Sequence, residues 1–159
     1  MRPAASAVTV EPVRFELAQV NVGRLLAPVE SPLIADFMAA LDAINALADA
    51  SPGFIWRLQT EEGNATSIQS FDDELIILNM SVWESLEALR AFTYTSAHAA
   101  VISRRREWFA KYATAHLALW WIPAGHRPTI EDAKGRLAAL DRDGPTPFAF
   151  TFRESFGPE

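Results

Sequence analysis

The sequence predicts an α+β fold with the element order β-α-β-β-α(α)-β-α-β, and three observations lead there. An alternating segment opens the ordered chain at 13–23. A segment of period 3.6 occupies 31–51, and strand-sized apolar runs recur at 54–60, 74–82 and 116–122. The inner part of that order, β-α-β-β-α-β, is the ferredoxin-like split arrangement.

In the first strand Val13, Phe15 and Leu17 share a face, after which the phase changes and Ala18, Val20 and Val22 become the apolar set. Either a bulge re-aims the strand, or Gln19 and Asn21 continue the inward face and carry two amides into the fold. The first helix has Ser31 as its cap and Pro32 at its first position. Its apolar stripe is Leu33, Ile34, Phe37, Met38, Leu41, Ile44 and Leu47, with Asp36, Asp42, Asn45 and Asp49 opposite. Ser51-Pro52-Gly53 ends it. The second strand, 54–60, places Phe54, Trp56 and Leu58 on one face, and a polar loop follows to Asp73.

Residues 74–82 are apolar on both sides, as a covered central strand requires. Helical patterns follow at 83–92, starting near Ser81 or Val82, and at 95–112, where His98, Val101, Ile102, Arg105 and Trp108 fall along one side. The fourth strand, 116–122, stops at Pro123. Thr129 and Asp132 form a near capping box for a last helix to about Leu140. A final strand, FAFTF, aligns Phe148, Phe150 and Phe152.

The 159 residues are 50% hydrophobic and 21% charged, which suits one packed domain at 13–159 behind a flexible tail at 1–12 and excludes disorder. A net charge of −6 argues against nucleic acid or an anionic membrane as partner. The absence of cysteine excludes thiol nucleophiles and thiolate metal sites. No signal-like or spanning segment is visible, so a cytoplasmic location is expected. GxSxG, P-loop and GxGxxG patterns are absent. The three histidines, at 98, 116 and 126, lack metal-ligand spacing, and no metal is expected.

Two blocks carry a more specific likeness. VWESLEALRAFTYTSAHAAV resembles the tryptophan–Ser–x–Glu–Ala segment of antibiotic-biosynthesis-monooxygenase-like proteins. WWIPAGHRPTIEDAKGRLAALDRDGPTPFAFTF resembles a bacterial domain-of-unknown-function family of the same dimeric α/β-barrel superfamily, and the likeness spans about 14–156. It implies a ferredoxin-like protomer that pairs sheet against sheet with a second copy. The superfamily it resembles includes cofactor-independent monooxygenases, haem-degrading monooxygenases, muconolactone isomerases and haem peroxidases, while the family it resembles most has no settled activity. The haem-degrading branch resembles this chain at Asn21, but Phe92 and Ile102 stand where its Trp and His would be.

The candidate function is therefore binding of a small apolar or aromatic ligand, with cofactor-independent oxygenation as the enzymatic form. Gln19 and Asn21 would donate hydrogen bonds to the substrate anion, and His98 would move the proton. Trp56 and Trp83 would hold the ring, with Tyr94, Arg57, Trp108 and His126 as further contacts. Each residue has a plainer reading. His98 can cap a helix junction, His126 can fix its turn, and Arg57 can sit on an exposed strand. Arg104, Arg105 and Arg106 can form a solvated helix face. Non-catalytic binding on the same fold is the alternative. Adjacent Trp120 and Trp121 must point to opposite sheet faces, so the sequence also predicts a homodimer that covers the second ring.

Overall fold

A computed structural model describes residues 13–59, 66, 71–112 and 114–158. The expected tail at 1–12 and most of the polar loop at 61–73 lie outside the described residues. Four antiparallel strands, β1 (Phe15–Arg24), β2 (Phe54–Arg57), β3 (Ile76–Trp83) and β4 (Leu117–Pro123), are ordered β2-β3-β1-β4. This is the ferredoxin-like arrangement. Helix α1 (Ala35–Ala50) joins β1 to β2, and α2 (Leu86–Thr93), α3 (Ser96–Ser103) and α4 (Arg105–Trp108) lie between β3 and β4. Helix α5 (Ile130–Asp143) follows β4.

β1 runs without a bulge, in continuous register with β3 and β4. Side chains alternate across a strand, so Leu17, Gln19 and Asn21 share one face and Ala18, Val20 and Val22 the other. The even face packs with Leu78, Met80, Val82, Trp120 and Ile122 against Ala133, Leu137 and Leu140 of α5. Burying each of those leucines contributes roughly 1.5–3 kcal/mol. Thr129 starts α5 with a complete capping box: its hydroxyl accepts from the Asp132 amide and the Asp132 carboxylate accepts from the Thr129 amide. The Thr129 amide, donating to it, holds the Asp132 carboxyl below its ordinary value.

The expectation that a second copy must cover one tryptophan is corrected. Trp120 is buried beneath α5, and Trp121 packs with Phe150, Phe152 and Phe156 of the chain's own end, its indole donating to the Phe156 carbonyl at 2.7 Å. At β4 the chain itself thus covers both faces of the sheet, with α5 on one and its own end on the other. The predicted final strand is also corrected. Phe150 makes one two-bonded bridge to Leu119, at 2.8 and 2.9 Å, while Arg136 stacks on Phe148. Proline at 145 and 147 removes the amides a longer ladder would use.

Two helix boundaries differ from expectation. Trp83 ends β3 rather than starting a helix, and Ser85 caps α2 by accepting from the Ala88 amide. The stretch 95–112 breaks after Ser103 and again at Phe109, which bridges to Leu25. β2 contains the largest departure. Phe54 pairs with Trp83 and Trp56 with Val82, so Ile55 is an extra residue and the strand bulges. Phe54 and Trp56 consequently lie on opposite faces, not on one.

Candidate functional site

Between the odd face of the sheet and helices α1–α4 lies a cavity of about 280 Å³. Its walls are mostly aromatic and aliphatic: Phe37, Leu41 and Ile44 from α1, Trp83 from β3, Phe92 from α2 and Trp108 from α4. Trp83 is fully buried, stacked on Phe92 at 5.1 Å and edge-on to Phe54 at 5.4 Å.

The floor is polar. Strand pairing sets Gln19 opposite Ser81 and Asn21 opposite Asn79, and their side chains form a ladder. Gln19 Nε2 donates to Asn79 Oδ1 and to Ser81 Oγ, both at 2.9 Å. Asn21 Nδ2 donates to Gln19 Oε1 at 3.1 Å and to Asn79 Oδ1 at 3.3 Å. The Trp83 indole, which can only donate, ends the ladder on Ser81 Oγ at 2.9 Å. Asn79 Nδ2 and Asn21 Oδ1 have no hydrogen-bond partner among the described residues. Asn45 lines the cavity from α1, is only 7% exposed, and its amide likewise has no partner among them.

His98 lies on the wall, its ring 5.1 Å from that of Phe92. Its Nδ1 is 2.8 Å from the Thr93 carbonyl oxygen. A carbonyl only accepts, so Nδ1 carries the hydrogen and Nε2 keeps the lone pair. Burial lowers the His98 pKa from its ordinary value, partly opposed by the Thr93 carbonyl, which favours a neutral ring with an available base. Arg57 is 9% exposed and reaches the cavity, its guanidinium held by Asp49 through bonds of 2.8 and 3.2 Å.

The structure thus brings Gln19, Asn21, His98, Arg57, Trp83 and Trp108 to one cavity and leaves three expected residues elsewhere. Trp56 faces the α5 core because of the β2 bulge. Tyr94 is two-thirds exposed and leans on Phe152. His126 sits in the exposed turn before α5, 3.9 Å from the Asp132 carboxylate. The basic run divides: Arg104 pairs with Glu107 and Asp36, whereas Arg105 lines the cavity.

Sequence reasoning missed Asn45, Asn79, Ser81 and the cavity roles of Arg105 and His116. The signal for Asn79 and Ser81 was present: two polar residues at alternate positions of an otherwise apolar strand share a face. Asn45 gave none, since it looked like part of the helix's polar side.

Among the described residues no cluster of His, Asp and Glu could hold a metal, and no helix is long and apolar enough to cross a membrane. No curated protein matches the chain. Among solved structures it is similar to SnoaB, a cofactor-independent oxygenase from Streptomyces nogalater, at 16% identity over 72% of this chain and 95% of that one, with a TM-score of 0.43. A Nitrosomonas europaea protein provisionally assigned as an antibiotic biosynthesis monooxygenase is 12% identical over 74% of this chain and 95% of that one, with a TM-score of 0.44. PA3566 from Pseudomonas aeruginosa is 12% identical over 75% of this chain and all of that one, with a TM-score of 0.47. The sequence pattern of a domain of unknown function, DUF3291, runs through residues 16–159, taking in the strands, the cavity-lining helices and α5, and the chain belongs to that family.

Proposed function

We propose that the cavity binds a small, largely apolar or aromatic molecule carrying a hydroxyl or carbonyl head, and that the enzymatic form of this function is cofactor-independent oxygenation. One observation carries the reading: Asn45, Asn79 and Asn21 bring amide atoms with no partner among the described residues to a largely apolar cavity. Asn45 is buried and Asn21 and Asn79 are half-buried, and the open positions on their amides are placed to bond a ligand or ordered water. A few convergent polar groups in an apolar pocket also fix a ligand's orientation.

In the oxygenation reading His98 Nε2 takes the proton of a ligand hydroxyl. The Asn79 and Asn45 amides donate to the oxyanion, which is the charge that develops as the proton leaves. A carbon of the electron-rich anion then reduces dioxygen and forms a C–O bond. Loss of water from that peroxide leaves a new carbonyl, so each hydroxyarene consumes one O₂ and yields one quinone and one water. The electrons come from the ligand. The cavity lies within one protomer, so this reading does not depend on two copies pairing through their sheet faces.

An oxygen electrode with a panel of dihydroxynaphthalenes tests it. Oxygen uptake above the spontaneous rate is expected, falling by about 10²-fold or more in His98→Ala, the scale of general-base loss. Asn21→Ala, which removes one ladder partner, should weaken ligand binding as well as uptake. Tight binding without uptake, unchanged by His98→Ala, would overturn the oxygenase and leave a ligand-binding protein.

A further inference from the structure

We infer that the ligand of this cavity carries a carboxylate, and that Arg105 and His116 hold it at the rim. The inference deepens the cavity reading above and rests on it. Among the described residues four ionisable side chains line the cavity, Arg57, His98, Arg105 and His116, and all four are bases. The chain as a whole has 20 acidic residues against 14 Lys and Arg, so this lining runs opposite to the average charge.

The four differ in what already occupies them. Arg57 has its charge matched by Asp49, and His98 has one ring nitrogen committed to the Thr93 carbonyl. Arg105 stacks its guanidinium 5.9 Å from the centre of the Phe109 ring and has no carboxylate partner among the described residues. His116 sits at the start of β4, where its carbonyl accepts from the Val22 amide at 2.8 Å. Burial and the nearby charge of Arg105 both lower the His116 pKa, so a neutral imidazole stands near the Arg105 charge, with no carboxylate among the described residues of the lining. A ligand carboxylate there would meet the Arg105 charge and accept from an imidazole N–H.

Both positions are anchored. Trp108, buried on the same short helix as Arg105, packs on Phe37, and Phe109 bridges to Leu25. Guanidinium groups bind carboxylates through paired N–H donors, so an exposed arginine on an anchored helix, near an imidazole, can make a directional contact.

Calorimetric titration with 2-naphthoate and with 2-naphthamide, its neutral counterpart, tests the inference at pH 7.5. Naphthoate is expected to bind about tenfold more tightly than naphthamide, the size of a partly screened charge-assisted contact. Arg105→Gln should abolish that preference while leaving naphthamide affinity unchanged, and Arg105→Lys should keep part of it. Arg106→Gln, on the same basic run but outside the cavity, should keep all of it. Equal affinities in the wild type, or an equal loss in Arg106→Gln, would overturn the carboxylate site and leave the cavity reading standing. Failure of both probes to bind would overturn the cavity reading itself.

Discussion

Replacing Ser81 by alanine removes a single oxygen on which two buried donors converge. Trp83 Nε1 and Gln19 Nε2 both lie 2.9 Å from Ser81 Oγ. The indole has one N–H and no other acceptor, and Trp83 is fully buried, so its donor bears the full cost of an unmade hydrogen bond, about 1–3 kcal/mol. Gln19 keeps its bond to Asn79 and adjoins the cavity, so its second N–H can turn to water and adds at most about 1 kcal/mol. The expected loss is therefore about 1–4 kcal/mol. Urea unfolding followed by tryptophan fluorescence measures it as a lower midpoint at unchanged slope. In a Gln19→Met background the same Ser81→Ala change should cost less, by the glutamine share alone. A Ser81→Ala loss below about 0.5 kcal/mol would refute the reasoning, because it would mean that the indole donor is not isolated from water.

Gly23→Ala would place a Cβ 2.6 Å from Cδ1 of the Phe109 ring, and should destabilise by about 1–3 kcal/mol with the Leu25–Phe109 bridge loosened, read by thermal unfolding. The folded-state pKa values of His98 and His116 lie below the ordinary 6.5, so the unfolded chain binds protons more readily. Their contribution is complete above about pH 6.5 and is lost as pH falls toward the lowered folded values. Urea midpoints should drop between pH 7.5 and 5.5, and His98→Gln should flatten that slope. A slope identical to wild type would remove the assigned neutral state.

The fold was readable because periodicity and punctuation agreed. Ser31-Pro32 and Ser51-Pro52-Gly53 bracket α1 within a few residues, and Thr129 with Asp132 marks the start of α5. The polar floor was half readable. Gln19 and Asn21 stood out through the phase change in β1, but the partners that make them a ladder come from β3, some 60 residues away, and register is a property of two strands. Asn45 was misread because a helix facing a cavity with polar needs breaks the simple rule of an apolar inner stripe. The expectation that a second copy must cover one ring failed for a related reason. Alternation along β4 correctly put Trp120 and Trp121 on opposite faces, but it could not say that α5 and the chain's own end would be the covers.

The bulge at Ile55 decouples the border of the cavity from chain length. Because Ile55 has no counterpart on β3, removing that one residue would let β2 pair in uninterrupted alternation, with Phe54 still opposite Trp83 and Arg57 still opposite Ser81. Both side chains would keep their places beside the amide floor. A chain lacking the extra residue would then present the same border to the same floor. A one-codon deletion there is a change of length that this scaffold could absorb without altering what it accepts.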